Sequence, residues 1–310
     1  NIIGKQSRKN YKLGDFLYEE DLQENPHIKR RWDFNIKYGI PVRYHDFAKL
    51  YDDSNFDVVE FHLSYQDLSV NPADYLTREY PYQLVVHCPE LYRGDHLLDL
   101  VSDDPNYKAQ SVANLEHTIE KTIQIARFFP HSAKPLLVTN VGGFDLHEFK
   151  DQDWRNKRYE ILSETLKQYD SSCVEIIPQT MPPFPWHFGG QSRHNLFVDP
   201  DEIVNYCKST DTRICFDISH TKLAVGSNGS AFLQAIHNLA PHTAHLHVAD
   251  AKGDNGEGLQ IGHGDIDFST IWPLIENSFA NVSFVPEVWQ GHKNSGAGFW
   301  NALDKLESYR

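Results

Sequence analysis

The chain has 310 residues, 40% of them hydrophobic and 13% aromatic, which is enough apolar material for a large folded core and argues against disorder. Its 29 basic and 43 acidic residues give a net charge of −14. This charge argues against a nucleic-acid partner, because such binding needs a basic surface, and no apolar run reaches the roughly 18 residues of a membrane span.

Residues 1–35 are polar, and we expect them to form an N-terminal extension ahead of one domain at 36–310. Within that domain, short apolar runs alternate with helical patterns. The predicted strands are Lys37–Val42, Asp57–Leu63, Gln83–Cys88, Pro135–Asn140, Cys173–Pro178, Arg213–Asp217, Thr243–Val248 and Val282–Glu287. The predicted helices are Phe47–Asp52, Ala73–Arg78, Gln110–Phe129, Arg155–Tyr169, Pro200–Lys208, Ser230–Leu239, Phe268–Asn277 and Gly298–Ser308. Eight strands that alternate with helices favour an α/β fold of the (β/α)₈ TIM barrel type over an open sheet.

The four cysteines are scattered and form no CxxC pair. Cys88, Cys173 and Cys215 lie in apolar, strand-like runs, which favours buried reduced thiols over a disulfide or a thiolate metal site. Reduced thiols are typical of the cytoplasm, and we expect the protein to be located there.

Polar side chains recur where the predicted strands end. The residues concerned are Glu60, His62, His87, Asn140, Gln179, Asp217, His220, His247, Asp250 and Glu287. In a (β/α)₈ barrel these C-terminal strand ends converge on one face, where polar residues usually carry chemistry. A single histidine at such a position is often structural, but a series of polar strand ends predicts a site.

The centre of this series is Asp217, His247 and Glu287. Two carboxylates and an imidazole are suitable ligands for one divalent ion such as Mn²⁺, Zn²⁺, Mg²⁺ or Co²⁺. His245 points the same way as His247 but lies deeper, and we expect it to be a hydrogen-bonded interior histidine. His220 follows Asp217 by three residues across a strand-to-loop turn, and it is expected to hold a substrate hydroxyl.

Five motifs in order, VVHCPE, ICFDISH, HLHVADAKG, GLQIGHGDIDF and FVPEVW, resemble the xylose isomerase-like barrel superfamily of sugar isomerases and epimerases. The resemblance extends from about Gly39 to the end of the chain. It implies one divalent metal held by Glu, Asp, His and Glu at the ends of strands five to eight. The last three of these positions are Asp217, His247 and Glu287.

The first position of that metal site differs, because the stretch IIPQTMPP places Gln179 where the family has glutamate. An amide oxygen can bind a metal but brings no charge and cannot act as a base. Glu175 lies four residues earlier, about 13 Å down an extended strand, so it is a poor replacement. Glu287 is then the family carboxylate left to move a proton.

The resemblance implies a metal-dependent isomerase or epimerase that acts on a sugar or sugar acid through an enediolate. Glu287, His220 and Gln179 are the catalytic candidates. The substrate-binding candidates are Glu60, His87, Asn140, Trp186, His220, Lys252 and Trp289. The alternatives are a metal-dependent lyase or dehydratase and a sugar-binding barrel that has lost its activity. The expected partner is a small sugar or sugar acid, and a homo-oligomer is compatible with the sequence.

The superfamily also includes an apurinic-site endonuclease with three zinc ions. That zinc cluster needs a histidine where this chain has Asn140, and an Asp-x-His in the loop after strand seven, which this chain does not have. Together with the acidic charge, these differences argue against a nuclease.

The segment KLGDFLYEEDLQ near the N-terminus resembles a signature of the antifreeze-like (SAF) domain of sialic acid synthases. The segment GIPVRYHDF resembles the part that joins that domain to its neighbour. This resemblance covers about 40 residues and implies a link to nonulosonic (sialic-type) sugars. The alternative is an ordinary helical extension.

Overall fold

The computed structural model describes residues 11–12, 30–52, 54–132, 134–170, 172–187 and 190–310. Parallel strands at eight positions close into a barrel with helices around it, and this confirms the predicted fold class. The strands are β1, in two halves at Lys37–Tyr38 and Pro41–Val42, β2 Val58–His62, β3 Gln83–His87, β4 Leu136–Thr139, β5 Glu175–Pro178, β6 Ile214–Asp217, β7 Thr243–Val248 and β8 Ser283–Pro286. Each lies within its predicted range.

The helices follow the strands along the chain. They are α1 Phe47–Tyr51, α2 Pro105–Ala126, α3 Gln152–Leu166, α4 Pro200–Thr210, α5 Ile218–Val225, α6 Gly229–Leu239, α7 Phe268–Ser278 and α8 Lys293–Glu307. Helix α2 begins five residues before its predicted start, because Asp104 caps it by accepting the backbone N–H groups of Asn106 and Tyr107.

The barrel consists of two runs of strands. One run extends from the second half of β1 to β5, and the other extends from β6 through β7 and β8 to the first half of β1. A parallel bridge between Gln179 and Cys215 joins β5 to β6. Thr180 strengthens this seam: its backbone N–H donates to Cys215 O at 3.0 Å, and its hydroxyl accepts the backbone N–H of Asp217 at 2.8 Å.

An apolar layer fills the barrel below the strand ends. It consists of the buried residues Val58, Val85, Val138, Ile177, Cys215 and Ala244. The first five each precede a polar strand-end residue by two positions, for example Ile177 before Gln179 and Cys215 before Asp217. Because side chains two apart on a strand share a face, the strands that close this layer also direct the polar residues into the mouth of the barrel.

Two helix predictions need correction. Ala73–Arg78 is not a helix: Asn71 and Pro72 begin a single 3₁₀ turn that ends at Asp74. Helix α5 was not predicted. It starts directly after β6, because Asp217 serves as its N-cap and accepts the backbone N–H of His220.

All four cysteines are free thiols, but the predicted burial of Cys173 is wrong because this residue is exposed just before β5. Burial raises the pKa of Cys88 to about 11 and that of Cys215 to about 12, which makes both thiols unreactive.

No helix in the described part of the chain combines the length and apolar character that a membrane crossing requires. The segment KLGDFLYEEDLQ lies outside the described residues, apart from Lys12.

Candidate metal and substrate site

Side chains from β5 to β8 meet around the amide of Gln179, directly after β5. The amide nitrogen lies 3.2 Å from Asp217 Oδ2, 3.0 Å from His247 Nδ1 and 3.5 Å from Glu287 Oε2. Gln179, Asp217 and His247 are buried, whereas the side chain of Glu287 is 24% exposed. We call these four residues the mouth cluster, and they are the four predicted metal ligands.

The position of Asp217 follows from the junction between β6 and α5. Its Oδ1 accepts the backbone N–H of His220 at 2.8 Å and the hydroxyl of Ser219 at 3.0 Å. This leaves Oδ2 directed toward Gln179, and His220 Nδ1 lies 3.4 Å from the same oxygen. His220 therefore belongs to the first turn of a helix, not to a loop as the sequence suggested.

His247 lies between two carboxylates. Its Nε2 is 3.0 Å from Glu60 Oε1, and its Nδ1 is 2.7 Å from Glu287 Oε2. Burial lowers the pKa of His247, but Cys215, Glu287 and Glu60 together hold it well above the ordinary value. Burial raises the pKa of Glu287, but His247 outweighs this effect and keeps the carboxylate ionised.

Glu60 lies behind His247 and has no exposed surface. Its Oε2 is 2.8 Å from His245 Nε2, and His245 Nδ1 is 2.7 Å from the hydroxyl of Ser283. Burial raises the pKa of Glu60, but its histidine neighbours hold it well below the usual range. The position matches the interior role expected for His245, whereas it gives the predicted substrate contact of Glu60 no support, because no solvent reaches this carboxylate.

His87 and His62 line the side of the site that β2 and β3 provide. His87 Nε2 lies 3.2 Å from Gln179 Oε1, and its ring stacks on that of His62 at a centroid distance of 4.7 Å. His62 Nε2 lies 2.9 Å from Glu60 Oε1, and its side chain is 22% exposed. The sequence placed His62 at a strand end without giving it a role. His62 follows Glu60 by two residues on the same strand, and this spacing indicates that the two side chains lie on the same face.

Glu257 was missed by sequence reasoning. A hairpin of Asp250–Lys252 and Gly256–Leu259 follows β7 and brings Glu257 Oε2 to 3.5 Å from His220 Nε2. Burial raises the pKa of Glu257, and Asp217, Glu90 and Glu287 add to this effect while His220 opposes it. No motif marks Glu257 in the sequence, because only the pairing of the hairpin brings it to His220.

Several predicted residues make no hydrogen bond or ion pair with the mouth cluster among the described residues. Asn140 Oδ1 accepts the backbone N–H of Gly142 at 2.9 Å, so it shapes its own loop. Lys252 is exposed, and Trp289 is 76% exposed. The structure shows no hydrogen bond or ion pair from either of these two side chains to the mouth cluster. The side chain of Trp186 is outside the described part of the chain.

Asp250 is another polar residue at a strand end, but it binds backbone N–H groups of the hairpin and of the loop that follows it. Its two oxygens accept the backbone N–H groups of Ala251, Gly262, Gly264 and Ile266. A carboxylate with four backbone partners has little capacity left for a metal or a sugar.

The residues present suit a divalent cation. The ligand atoms of His87, His247 and Glu287 lie within 4.8 Å of one another, as do those of Glu60, His62 and His247. In the structure the Gln179 amide group directs its nitrogen at the mouth cluster. Rotation of the amide by 180° would place its oxygen there, so that the donors would be two carboxylates, an imidazole and an amide oxygen. Such a set fits a hard or borderline divalent ion.

Comparison with known proteins gives a family and a set of structures. The family model described as xylose isomerase-like TIM barrel matches residues 48–308. A segment of 116 residues is 28% identical to the uncharacterized protein MJ1311 of Methanocaldococcus jannaschii, and the match covers 36% of each protein. The chain therefore spans about a third of the length of this curated relative.

Among solved structures, a D-tagatose 3-epimerase-like protein is 21% identical with a TM-score of 0.60, and the match covers 88% of this chain and 97% of that one. D-psicose 3-epimerase from Clostridium cellulolyticum H10 is 15% identical with a TM-score of 0.59 and coverage of 89% and 98%. Endonuclease IV from Thermus thermophilus is 14% identical with a TM-score of 0.57 and coverage of 88% and 98%. At these identities the similarity shows a shared fold.

Proposed function

Because the chain belongs to the xylose isomerase-like TIM barrel family, we propose that it is a divalent-metal-dependent isomerase or epimerase of a sugar or sugar acid. One observation carries the proposal. The Gln179 amide nitrogen lies within 3.5 Å of Asp217, His247 and Glu287, so these residues share one point at the mouth of the barrel. The identity of two solved neighbours as sugar epimerases or epimerase-like proteins supports the substrate class.

The four residues of the mouth cluster would hold the cation. A cation bound there supplies Lewis-acid polarisation of a substrate carbonyl, which acidifies the neighbouring C–H group. Glu287 is ionised and partly exposed, so it is the base that takes the proton. His87 and His220 border the cluster and are suited to hold substrate hydroxyl groups.

The experiment combines metal analysis with proton exchange. We expect the protein, equilibrated with an excess of one ion at a time, to bind one equivalent of Mn²⁺, Zn²⁺, Mg²⁺ or Co²⁺. We also expect it to exchange a carbon-bound proton of one sugar with deuterium from D₂O, which NMR detects. The panel comprises ketoses and acyl-amino sugars, the latter because the N-terminal segment resembles part of the sialic acid synthases.

Glu287→Gln should reduce this exchange by roughly 10²- to 10⁴-fold, since it removes the base. Glu79→Gln changes an exposed glutamate elsewhere and serves as the control. If the metal-loaded protein exchanges no proton with any sugar of the panel, the proposal is wrong.

Two other functions would give different experimental results. A lyase or dehydratase would release water and create an ultraviolet chromophore. A sugar-binding barrel would be stabilised thermally by its sugar without turnover, and the neutral Gln179 is the observation that favours it. Product analysis of the incubation, together with a thermal melt in the presence of the sugar, therefore distinguishes all three functions.

A further inference from the structure

Inversion of a carbon centre needs two proton-transfer groups. A single carboxylate that removes a proton and returns it to the same face exchanges the proton with solvent but leaves the configuration unchanged. Gln179 cannot act as an acid or base, so of the two mouth-cluster positions where the family has glutamate, only Glu287 supplies such a group. The second group must come from elsewhere in the chain.

Glu257 is held beside the mouth cluster by its contact with His220. Its Oε2 lies 3.5 Å from His220 Nε2, and the other ring nitrogen of His220 lies 2.9 Å from the Thr180 carbonyl oxygen, which fixes the ring. The same ring nitrogen is 3.4 Å from Asp217 Oδ2. Glu257 therefore lies one imidazole ring away from a proposed metal ligand.

The hairpin that carries Glu257 is tied to the backbone next to Glu287. The Gly258 carbonyl oxygen accepts the backbone N–H of Trp289 at 2.7 Å. A Cβ atom added at Gly258 would lie 3.7 Å from the Glu287 carbonyl oxygen. The hairpin thus brings a second glutamate next to the strand end that carries the first, and the 32% exposure of its side chain leaves it accessible to a ligand.

The surroundings of Glu257 favour its protonated form. Asp217, Glu90 and Glu287 face Glu257 with negative charge, and His220 faces it with the opposing effect. Burial raises the pKa of Glu257 most, and the three negative charges add to this effect while His220 opposes it, so Glu257 retains a proton to a higher pH than an ordinary glutamate. A carboxyl group that retains its proton in this way is suited to act as a general acid.

We propose that Glu257 is the second proton-transfer residue of the site and takes the place of the carboxylate that Gln179 lacks. The inference rests on the proposed isomerase or epimerase function. Glu287 takes the proton from the carbon next to the substrate carbonyl, and the C–H electron pair forms the C=C bond of the enediolate while the carbonyl oxygen takes the negative charge. Glu257 then delivers its proton to carbon as the C=O bond re-forms. Proton exchange with water restores Glu257 to its acid form and Glu287 to its base form.

The test uses Glu257→Gln in the full chain, loaded with Mn²⁺, with product and deuterium exchange measured in D₂O. We expect product formation to fall at least about 100-fold, because the acid is lost. Deuterium exchange into the starting sugar should stay within about threefold of wild type, because Glu287 still removes and returns the proton. Glu79→Gln, at an exposed glutamate outside the site, is the control and should change neither product formation nor exchange.

The outcomes separate the inference from the function on which it rests. No exchange by the wild-type protein would overturn both. If wild type exchanges deuterium and Glu257→Gln forms product as fast as wild type, the inference is wrong but the proposed function stands. Loss of exchange as well as product, in a variant that binds Mn²⁺ like wild type, would also overturn it, because a residue that only returns the proton is not needed to remove it.

Discussion

At the scale of single residues, the chemistry depends on the neutral side chain at position 179. Gln179 lies where carboxylates and imidazoles from the ends of four other strands converge, and its amide contacts all of them. An amide oxygen is a weaker ligand for a divalent ion than a carboxylate, because it carries no net charge. We therefore expect the metal to bind, but weakly.

Gln179→Glu should tighten Mn²⁺ binding by roughly tenfold to a hundredfold, since it adds a negative charge to the metal site. In the presence of a chelator the same variant should melt at a lower temperature than wild type, because a third carboxylate then joins Asp217 and Glu287 in the mouth cluster. Titration calorimetry and thermal melts measure both effects. Gln110→Glu adds the same charge on an exposed face of α2 and should change neither. Unchanged metal affinity would show that Gln179 is not a ligand.

At the scale of elements, the strands were predictable and the segments that follow them were not. The strands are short apolar runs, most of them buried along nearly their whole length, as expected for a parallel sheet that is covered on both faces. Helix α5 was missed because Asp217 is at once the last residue of β6 and the cap of the helix, so no linker separates them. Ala73–Arg78 failed as a helix because only Leu76 is deeply buried, whereas Tyr75 is 45% exposed.

Close packing around Gly264, in the loop after the hairpin, leads to a prediction about stability. Gly264→Ala would place a Cβ atom 2.2 Å from the Ala251 carbonyl oxygen and 2.3 Å from Asp250 Oδ1. We expect a loss of about 1–3 kcal/mol in the free energy of unfolding, because backbone and a buried carboxylate must both move. Gly229→Ala, in the first turn of α6 with open space around it, should be neutral or slightly stabilising. Chemical unfolding of both variants provides the comparison, and equal stability would contradict the close packing at Gly264.

At the scale of the whole molecule, the sequence predicts the closed barrel and the convergence of 179, 217, 247 and 287, because parallel strands all end on one face. It did not predict which polar strand ends stay inside the protein. Glu60 and Asp250 looked like their neighbours in the sequence, yet one is enclosed by histidines and the other by backbone N–H groups. These differences depend on loop conformations, which have no periodic pattern.

The global stability should also depend on pH through Asp99, which lies outside the site. Burial raises the pKa of Asp99 to about 6, while backbone N–H groups of Gly143 and Val101 donate to its Oδ1. The unfolded carboxyl loses its proton near pH 4. The folded state therefore holds the extra proton between about pH 4 and pH 6, and stability falls as pH rises through this window.

Asp99→Asn keeps the accepting oxygen and removes the charge. We expect the variant to exceed wild type by about 1–3 kcal/mol at pH 8 and by about a third of that difference at pH 4.5. Urea unfolding at the two pH values measures the difference, and Asp254→Asn, on an exposed turn, is the control. A constant difference between variant and wild type at both pH values would show that Asp99 does not titrate in this window.

The seam between β5 and β6 links the architecture of the barrel to its chemistry. Gln179 pairs with Cys215 across the seam through its backbone and enters the mouth cluster through its side chain. Any local parting of these two strands pulls one prospective ligand away from the other three. Ion binding at the mouth cluster and closure of the barrel between β5 and β6 are therefore thermodynamically coupled. A bound ion would hold these two strands together.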